Sequence, residues 1–193
     1  ITLRQGDQGS LAQSMQRVQE QVQAVIQAQS LMAERHEQGT ISYRMDETAF
    51  PGDYGRMVHD ANELVAAHIG VKMRLVQLMQ RYAVGDLSAD MDRLPGEKAV
   101  ITETMDACKT NLSAINGDIK RLAAAAAAGD FSQRGEADRY QYDFRDMIEG
   151  LNQLMETTDG NLAEVSELLK AIARGDLTAR MEGDFRGVFA TMR

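Results

Sequence analysis

The residues able to do chemistry in this 193-residue chain are few: His36, His59, His68, the lone Cys108, and Asp86, Asp130 and Asp176, each directly after a glycine. His59 and Glu63 lie one helical turn apart, as two metal ligands would. A carboxylate-bridged di-iron bundle needs Glu-x-x-His on two helices, and that spacing occurs nowhere in the chain. Neither Cys-x-x-Cys nor His-Glu-x-x-His occurs, so the usual metal signatures are missing. The recurring aspartates have no histidine or nucleophile beside them, and they are expected to cap local backbone or face solvent. No catalytic residue, no metal and no cofactor are expected. His68 falls on an apolar stripe and is expected as a tolerated core histidine or a pH-sensitive weak point. The 12 methionines suit ordinary core packing by flexible apolar side chains. What recurs in this sequence is spacing, not reactive groups.

The clearest statement of that spacing is Leu168 to Met181, LLKAIARGDLTARM. An apolar helical stripe ends at Ile172, Gly175-Asp176 stops it, and Leu177 and Met181 follow. The pattern occurs four times, at Gly39, Gly85, Gly129 and Gly175, spaced 46, 44 and 46 residues apart. Such a period denotes an array of supersecondary units. Stepping back from each glycine by fourteen, ten, seven and three residues samples one helix face. The residues met are Val25, Gln29, Met32 and His36; Val71, Leu75, Leu78 and Tyr82; Ile115, Ile119, Leu122 and Ala126; and Asn161, Val165, Leu168 and Ile172. Only Gln29, His36 and Asn161 interrupt this seam of coiled-coil type.

After each glycine, about a dozen residues lack helical period and are rich in Gly, Asp and Ser, and the only two prolines, Pro51 and Pro95, lie here. These read as connectors. A second seam follows: Tyr54, Val58, Ala61, Val65 and His68; Ile101, Met105, Cys108, Leu112 and Ile115; Phe144, Ile148, Leu151, Met155 and Thr158. The second of these starts one residue later after its glycine. Each second helix is expected to run on into the next first helix. At the middle junction the seams share Ile115, near Gly117. At the outer junctions the step from His68 to Val71, and from Thr158 to Asn161, is three where four would continue the heptad. Gly70 and Gly160 sit at these phase slips, which overwind or unwind a coiled coil locally.

A dozen extended residues reach ~40 Å, enough to climb back along a helix of about 25 Å. The two helices of a unit are therefore expected to be parallel. Two narrow seams cannot bury themselves, and pairing two chains closes a four-helix core. The expected fold is all-α, with tandem helix–connector–helix units forming parallel four-helix coiled coils in a homodimer. The expected units are 1–24 (the end of a preceding unit), 25–69, 70–116, 117–159 and 160–193 (itself truncated).

Composition narrows the function classes. With 21 Lys+Arg against 29 Asp+Glu, the net charge is −8 and no basic stripe marks a nucleic-acid footprint. A single cysteine excludes an internal disulfide and fits a reducing compartment. No run approaches the ~20 apolar residues of a membrane span. Both ends fall within a repeat, so the chain is expected to be cut from something longer.

The connectors resemble those of the HAMP domain, the signal-relay unit of bacterial transmembrane receptors. That family has a glycine, an apolar residue two positions on, and a second apolar residue four further on. Gly39/Ile41/Met45, Gly85/Leu87/Met91 and Gly175/Leu177/Met181 fit; Gly129/Phe131 fits but meets Gly135 at the last place. The family's second helix opens near Asp-Glu-x-Gly. Asp53-Tyr54-Gly55 and Asp184-Phe185-Arg186-Gly187 are degenerate versions, and Gly6 to Leu11 looks like the same start from an earlier unit.

The resemblance implies a poly-HAMP segment of a methyl-accepting chemotaxis receptor: cytoplasmic, non-enzymatic, and anchored in the inner membrane only by a part outside this segment. It would pass conformational change between sensor and kinase-control regions of the same receptor. The rival readings are a static dimerising spacer and the relay of a sensor histidine kinase. The third unit is expected to be the softest, because Gly135 replaces an apolar anchor and Ala126 lies in the thin Ala123–Ala128 run.

Overall fold

The structure is a computed structural model that describes residues 11–181 together with 183, 187 and 190. The suspected helix starts at Gly6–Ser10 and Asp184–Arg186 lie outside the described residues. Four long helices and no strand occur among the described residues: α1 (Leu11–Glu37), α2 (Gly52–Ala83), α3 (Ala99–Ala127) and α4 (Tyr142–Ala173). Short 3-10 turns, Glu47–Ala49, Gly96–Lys98 and Ala137–Arg139, lie just ahead of the three later helices. The fold is all-α. No described helix is long and apolar enough to cross a membrane.

The helices run through the expected junctions without a break. Gly70 lies inside α2, Gly117 inside α3 and Gly160 inside α4. A Cβ added at any of these three glycines would meet nothing within 4 Å. The α3 seam keeps one phase from Ile101 to Ala126, every position being buried or half-buried. In α2 the buried face instead runs through Val58, Asn62, Val65 and Ile69, then restarts at Val71, Leu75, Leu78 and Tyr82. His68 is therefore not a seam residue. It is exposed, and Ile69 takes the inward place. Phe144 and Ile172 likewise lie at exposed edges of α4.

The chain divides into two units, Ile1–Ala83 and Val84–Arg193. In the first, Val25, Met32, Met45 and Val58 form a buried cluster flanked by Ala28, Tyr43, Phe50, Tyr54, Ala61 and Val65. The connector leaves the C-terminal end of α1 and descends α2. Met45 bonds Asn62, Glu47 bonds His59, and the Phe50 carbonyl lies against Gly55. A strand of chain that starts at one helix's end and descends the next makes the two helices parallel. The second unit repeats this. Arg121 and then Asp118 on α3 meet Arg134 and Tyr140 of the connector, while Asn152 and Arg145 on α4 meet Gly135 and Asp138. There Ile115, Tyr140 and Ile148 form the buried cluster.

Candidate functional site

The candidate site is the connector and the helix face it lies on. Each connector begins with a helix stop. Gly39, Gly85, Gly129 and Gly175 have φ between 80° and 92°, a left-handed conformation that an L side chain resists. At Gly39, Gly129 and Gly175 the stop is a Schellman closure. Gly39 N–H donates to His36 O and Thr40 N–H to Arg35 O; the same pair joins Gly129 and Asp130 to Ala126 and Ala125, and Gly175 and Asp176 to Ile172 and Ala171. The recurring aspartates then act on local backbone. Asp86 accepts from the N–H and hydroxyl of Ser88, Asp130 from those of Ser132, and Asp176 from those of Thr178. The Ser132 hydroxyl holds the Asp130 carboxyl below its usual range, and the Thr178 hydroxyl does so for Asp176. These carboxylates are turn caps.

The expected anchor residues divide into two groups. Met45, Met91 and Met181 are buried. Of the earlier apolar positions, Leu87 and Phe131 are half-buried, while Ile41 and Leu177 are exposed, Leu177 at 73%. In a single chain these two have no helix above them. Gly135 is buried like the methionines it replaces. Its place is not a gap. A Cβ there would lie 2.6 Å from Ile148 Cγ2 and 3.4 Å from Leu122 Cδ1. The helices close over the glycine, so the expected missing anchor is supplied from the opposite side.

Two features escaped the reading of the sequence. The first is an amide clamp. Met45 N–H donates to Asn62 Oδ1 at 3.0 Å, and Asn62 Nδ2 donates back to Met45 O at 2.9 Å. Asn152 does the same to Gly135, at 2.7 and 2.9 Å. Both asparagines stand 17 residues after the backbone they hold. A shared Asn-x-Leu at that offset was the available signal, but asparagine next to an apolar seam reads as an ordinary surface residue. The second is an arginine staple. Arg44 donates to the carbonyls of Ile41 and Tyr43, Arg134 to those of Phe131 and Gln133, and Arg180 to those of Leu177 and Ala179. One side chain thereby curls each of these connectors.

The connector after Gly85 is built differently. Asp90 stands where the others have arginine, and it pairs with Lys109 on α3. Thr102 Oγ1 accepts from Leu94 N–H and donates to Asp92 O, and Arg93 pairs with Asp106. This connector is held by two ion pairs and a threonine hydroxyl where the flanking ones are held by asparagine amides.

Comparison with known proteins agrees with this frame. Residues 71–113 match the model described as HAMP N-terminal domain 3, and residues 139–193 match the HAMP domain model. The chain belongs to the HAMP family. The methyl-accepting chemotaxis protein McpB of Pseudomonas aeruginosa is 24% identical over 308 aligned residues, which take in 90% of this chain and 45% of McpB. The chain thus spans less than half the length of that relative. Among the described residues no group of three or more His, Cys, Asp or Glu could hold a metal ion. The HAMP connectors here offer polar clamps to backbone and apolar anchors to helices.

Proposed function

We propose that this segment is a non-enzymatic relay in the cytoplasmic part of a membrane-anchored chemoreceptor. It would pass conformational change from a sensor region to a kinase-control region of the same receptor. The observation that carries this reading is the recurrence of one helix–connector–helix frame, each connector held by contacts that can break without unfolding a helix. A relay needs elements with two packings separated by a few kcal/mol. A few such contacts per connector are of that size, since each hydrogen bond nets ~0.5–1.5 kcal/mol.

The reading includes a parallel homodimer. Apolar residues remain exposed along the single chain at matching places 90 residues apart: Met57 and Met147, Leu64 and Leu154, Met79 and Leu169. A second copy would cover these stripes and put a helix over Ile41 and Leu177. In this account the units run from 25–69, 70–116 and 117–159, with partial units at 1–24 and 160–193. Gly70, Gly117 and Gly160 are their junctions. Gly39, Ile41, Met45, Gly85, Leu87, Met91, Gly129, Phe131, Gly175, Leu177 and Met181 are the packing residues.

The change of buried face in α2, from Val58/Asn62/Val65/Ile69 to Leu75/Leu78/Tyr82, favours a switchable array over a static spacer. One added residue after Gly70 in the full-length receptor restores the four-residue step. A relay then locks or inverts its output. A spacer keeps its wild-type response, and that result would sink the proposal.

A further inference from the structure

The Asn62 clamp does not end at the core. Asn62 Nδ2 has a second hydrogen beyond the one given to Met45 O, and it goes to Glu47 Oε1 at 3.1 Å. The other carboxylate oxygen, Glu47 Oε2, lies 3.0 Å from Nδ1 of His59. An unbroken path of hydrogen bonds therefore joins an exposed imidazole to the backbone of a buried anchor. It runs His59, Glu47, Asn62, Met45. Asn62 is only 4% exposed, so its partners must come from the protein. Glu47 sits on the 3-10 turn of the connector, and His59 and Asn62 lie on one face of α2.

The geometry points to a proton-sensitive latch: protonated His59 fixes Glu47, which holds Asn62 in the orientation that clamps the first connector. As imidazolium, His59 presents a charge-assisted N–H to the carboxylate. As neutral imidazole, it donates more weakly or turns a lone pair toward it, according to tautomer. Glu47 is then freer to swing to water, and Asn62 loses its third bond. The charges acting on His59 are Glu47 on the turn, and Glu63 and Asp60 on its own helix; all are acidic. The Glu47 hydrogen bond, followed by its charge, raises the His59 pKa above the ordinary 6.5. Asn62 first, then His59, lowers that of Glu47. A group whose pKa is raised on folding stabilises the fold below its unfolded value. That contribution is lost as pH rises through the folded value, which lies above 6.5.

The third connector is the internal control. Ala137 and Glu149 stand where the first has Glu47 and His59, so Asn152 holds Gly135 without a titrating partner. The test is an NMR titration of the full chain from pH 5.5 to 8.5, following the His59 ring and the Met45 and Gly135 amides. The Met45 amide resonance should move with the His59 midpoint, that midpoint should lie above 6.5, and Gly135 should not follow it. Amide exchange at Met45, corrected for intrinsic pH dependence, should quicken above the midpoint. His59→Gln should abolish both responses and leave Gly135 unchanged. Glu47→Gln should return the His59 midpoint toward its free value. A Met45 amide that ignores the His59 midpoint, or keeps its pH response in His59→Gln, overturns the latch.

Discussion

The first and third connectors are the same device built with opposite division of labour. They correspond residue for residue at an offset of 90: Gly39 with Gly129, Arg44 with Arg134, Asn62 with Asn152, Val58 with Ile148. In the first, a large anchor, Met45, enters the core and meets a smaller helix residue, Val58. In the third, the connector offers only Gly135, and the larger Ile148 comes to meet it. The aromatic position differs too. Phe50 is half-buried without a polar handle, whereas Tyr140 is buried and donates its hydroxyl to Asp118 at 2.8 Å. At the helix start, Gly52 has φ 58° and Tyr142 has φ 52°. The third unit thus carries a bulky, 86% exposed side chain in a backbone conformation that glycine tolerates and tyrosine does not. The comparison teaches that the amide clamp and the arginine staple define the frame, while anchor size can be exchanged between connector and helix.

Removing a clamp should have the largest effect. Asn62→Leu or Asn152→Leu leaves a buried N–H and C=O unpaired, at ~1–3 kcal/mol each. Chemical denaturation should show a loss of about 2–5 kcal/mol in either variant. If the two losses differ widely, the clamp is not the common element.

Exchanging the anchors comes next. Gly135→Met overpacks against Ile148 and should cost ~1–3 kcal/mol. Adding Ile148→Val copies the Met45/Val58 pair and should recover part of that cost. A double-mutant cycle should give a coupling of at least ~0.5 kcal/mol, as expected for touching residues. Additive losses would mean that the two pairs are not equivalent solutions.

A smaller effect, of opposite sign, is expected from Tyr142→Gly. Relieving a left-handed non-glycine residue is worth ~1–2 kcal/mol, offset in part by the extra chain entropy of glycine. The net should be a gain of about 0.5–1 kcal/mol in thermal or denaturant unfolding. The reverse change, Gly52→Tyr, should lose stability.

The smallest effect separates the two aromatics by pH. Burial pushes the Asp118 carboxyl up, but the Tyr140 hydroxyl and the Arg121 guanidinium outweigh it and leave the pKa below 3.8. A lowered carboxylate stabilises above its unfolded value, and that contribution is lost as pH falls through the folded one. Below neutral pH, the Tyr140 ring resonances should therefore shift only in acid, below about 3.8. They should stop doing so in Asp118→Asn. Phe50 should show no matching transition.

Much of this was legible in the sequence, for a physical reason. Helix stops need glycine at positive φ, and apolar seams need a fixed period, so Gly39, Gly85, Gly129 and Gly175 and the α3 seam stand out by spacing alone. The position of the aspartates after those glycines left capping and solvent exposure both open, and the structure shows the caps. Polar contacts across the connector were not legible. Asn62 and Asn152 stand beside the seam residues Ala61 and Leu151 and look like ordinary polar positions until the backbone they hold is seen. Arg44, Arg134 and Arg180 look like ordinary surface charges. His68 was misplaced because a strict heptad was continued past the point where α2 changes its buried face. Gly135 read as a missing side chain because complementarity with Ile148 is a three-dimensional fact.

The central claim is that each connector is a separately held element, able to let go without its neighbour. Residue-resolved amide exchange at Met45 and Gly135 in the full chain tests it most directly. Both amides should exchange slowly in the wild type, and more slowly than those of the exposed connector residues Ile41 and Arg134. Asn62→Leu should accelerate Met45 and leave Gly135 slow, and Asn152→Leu should do the reverse. If either substitution accelerates both amides equally, or neither, the connectors are not independent clamped elements and the account fails.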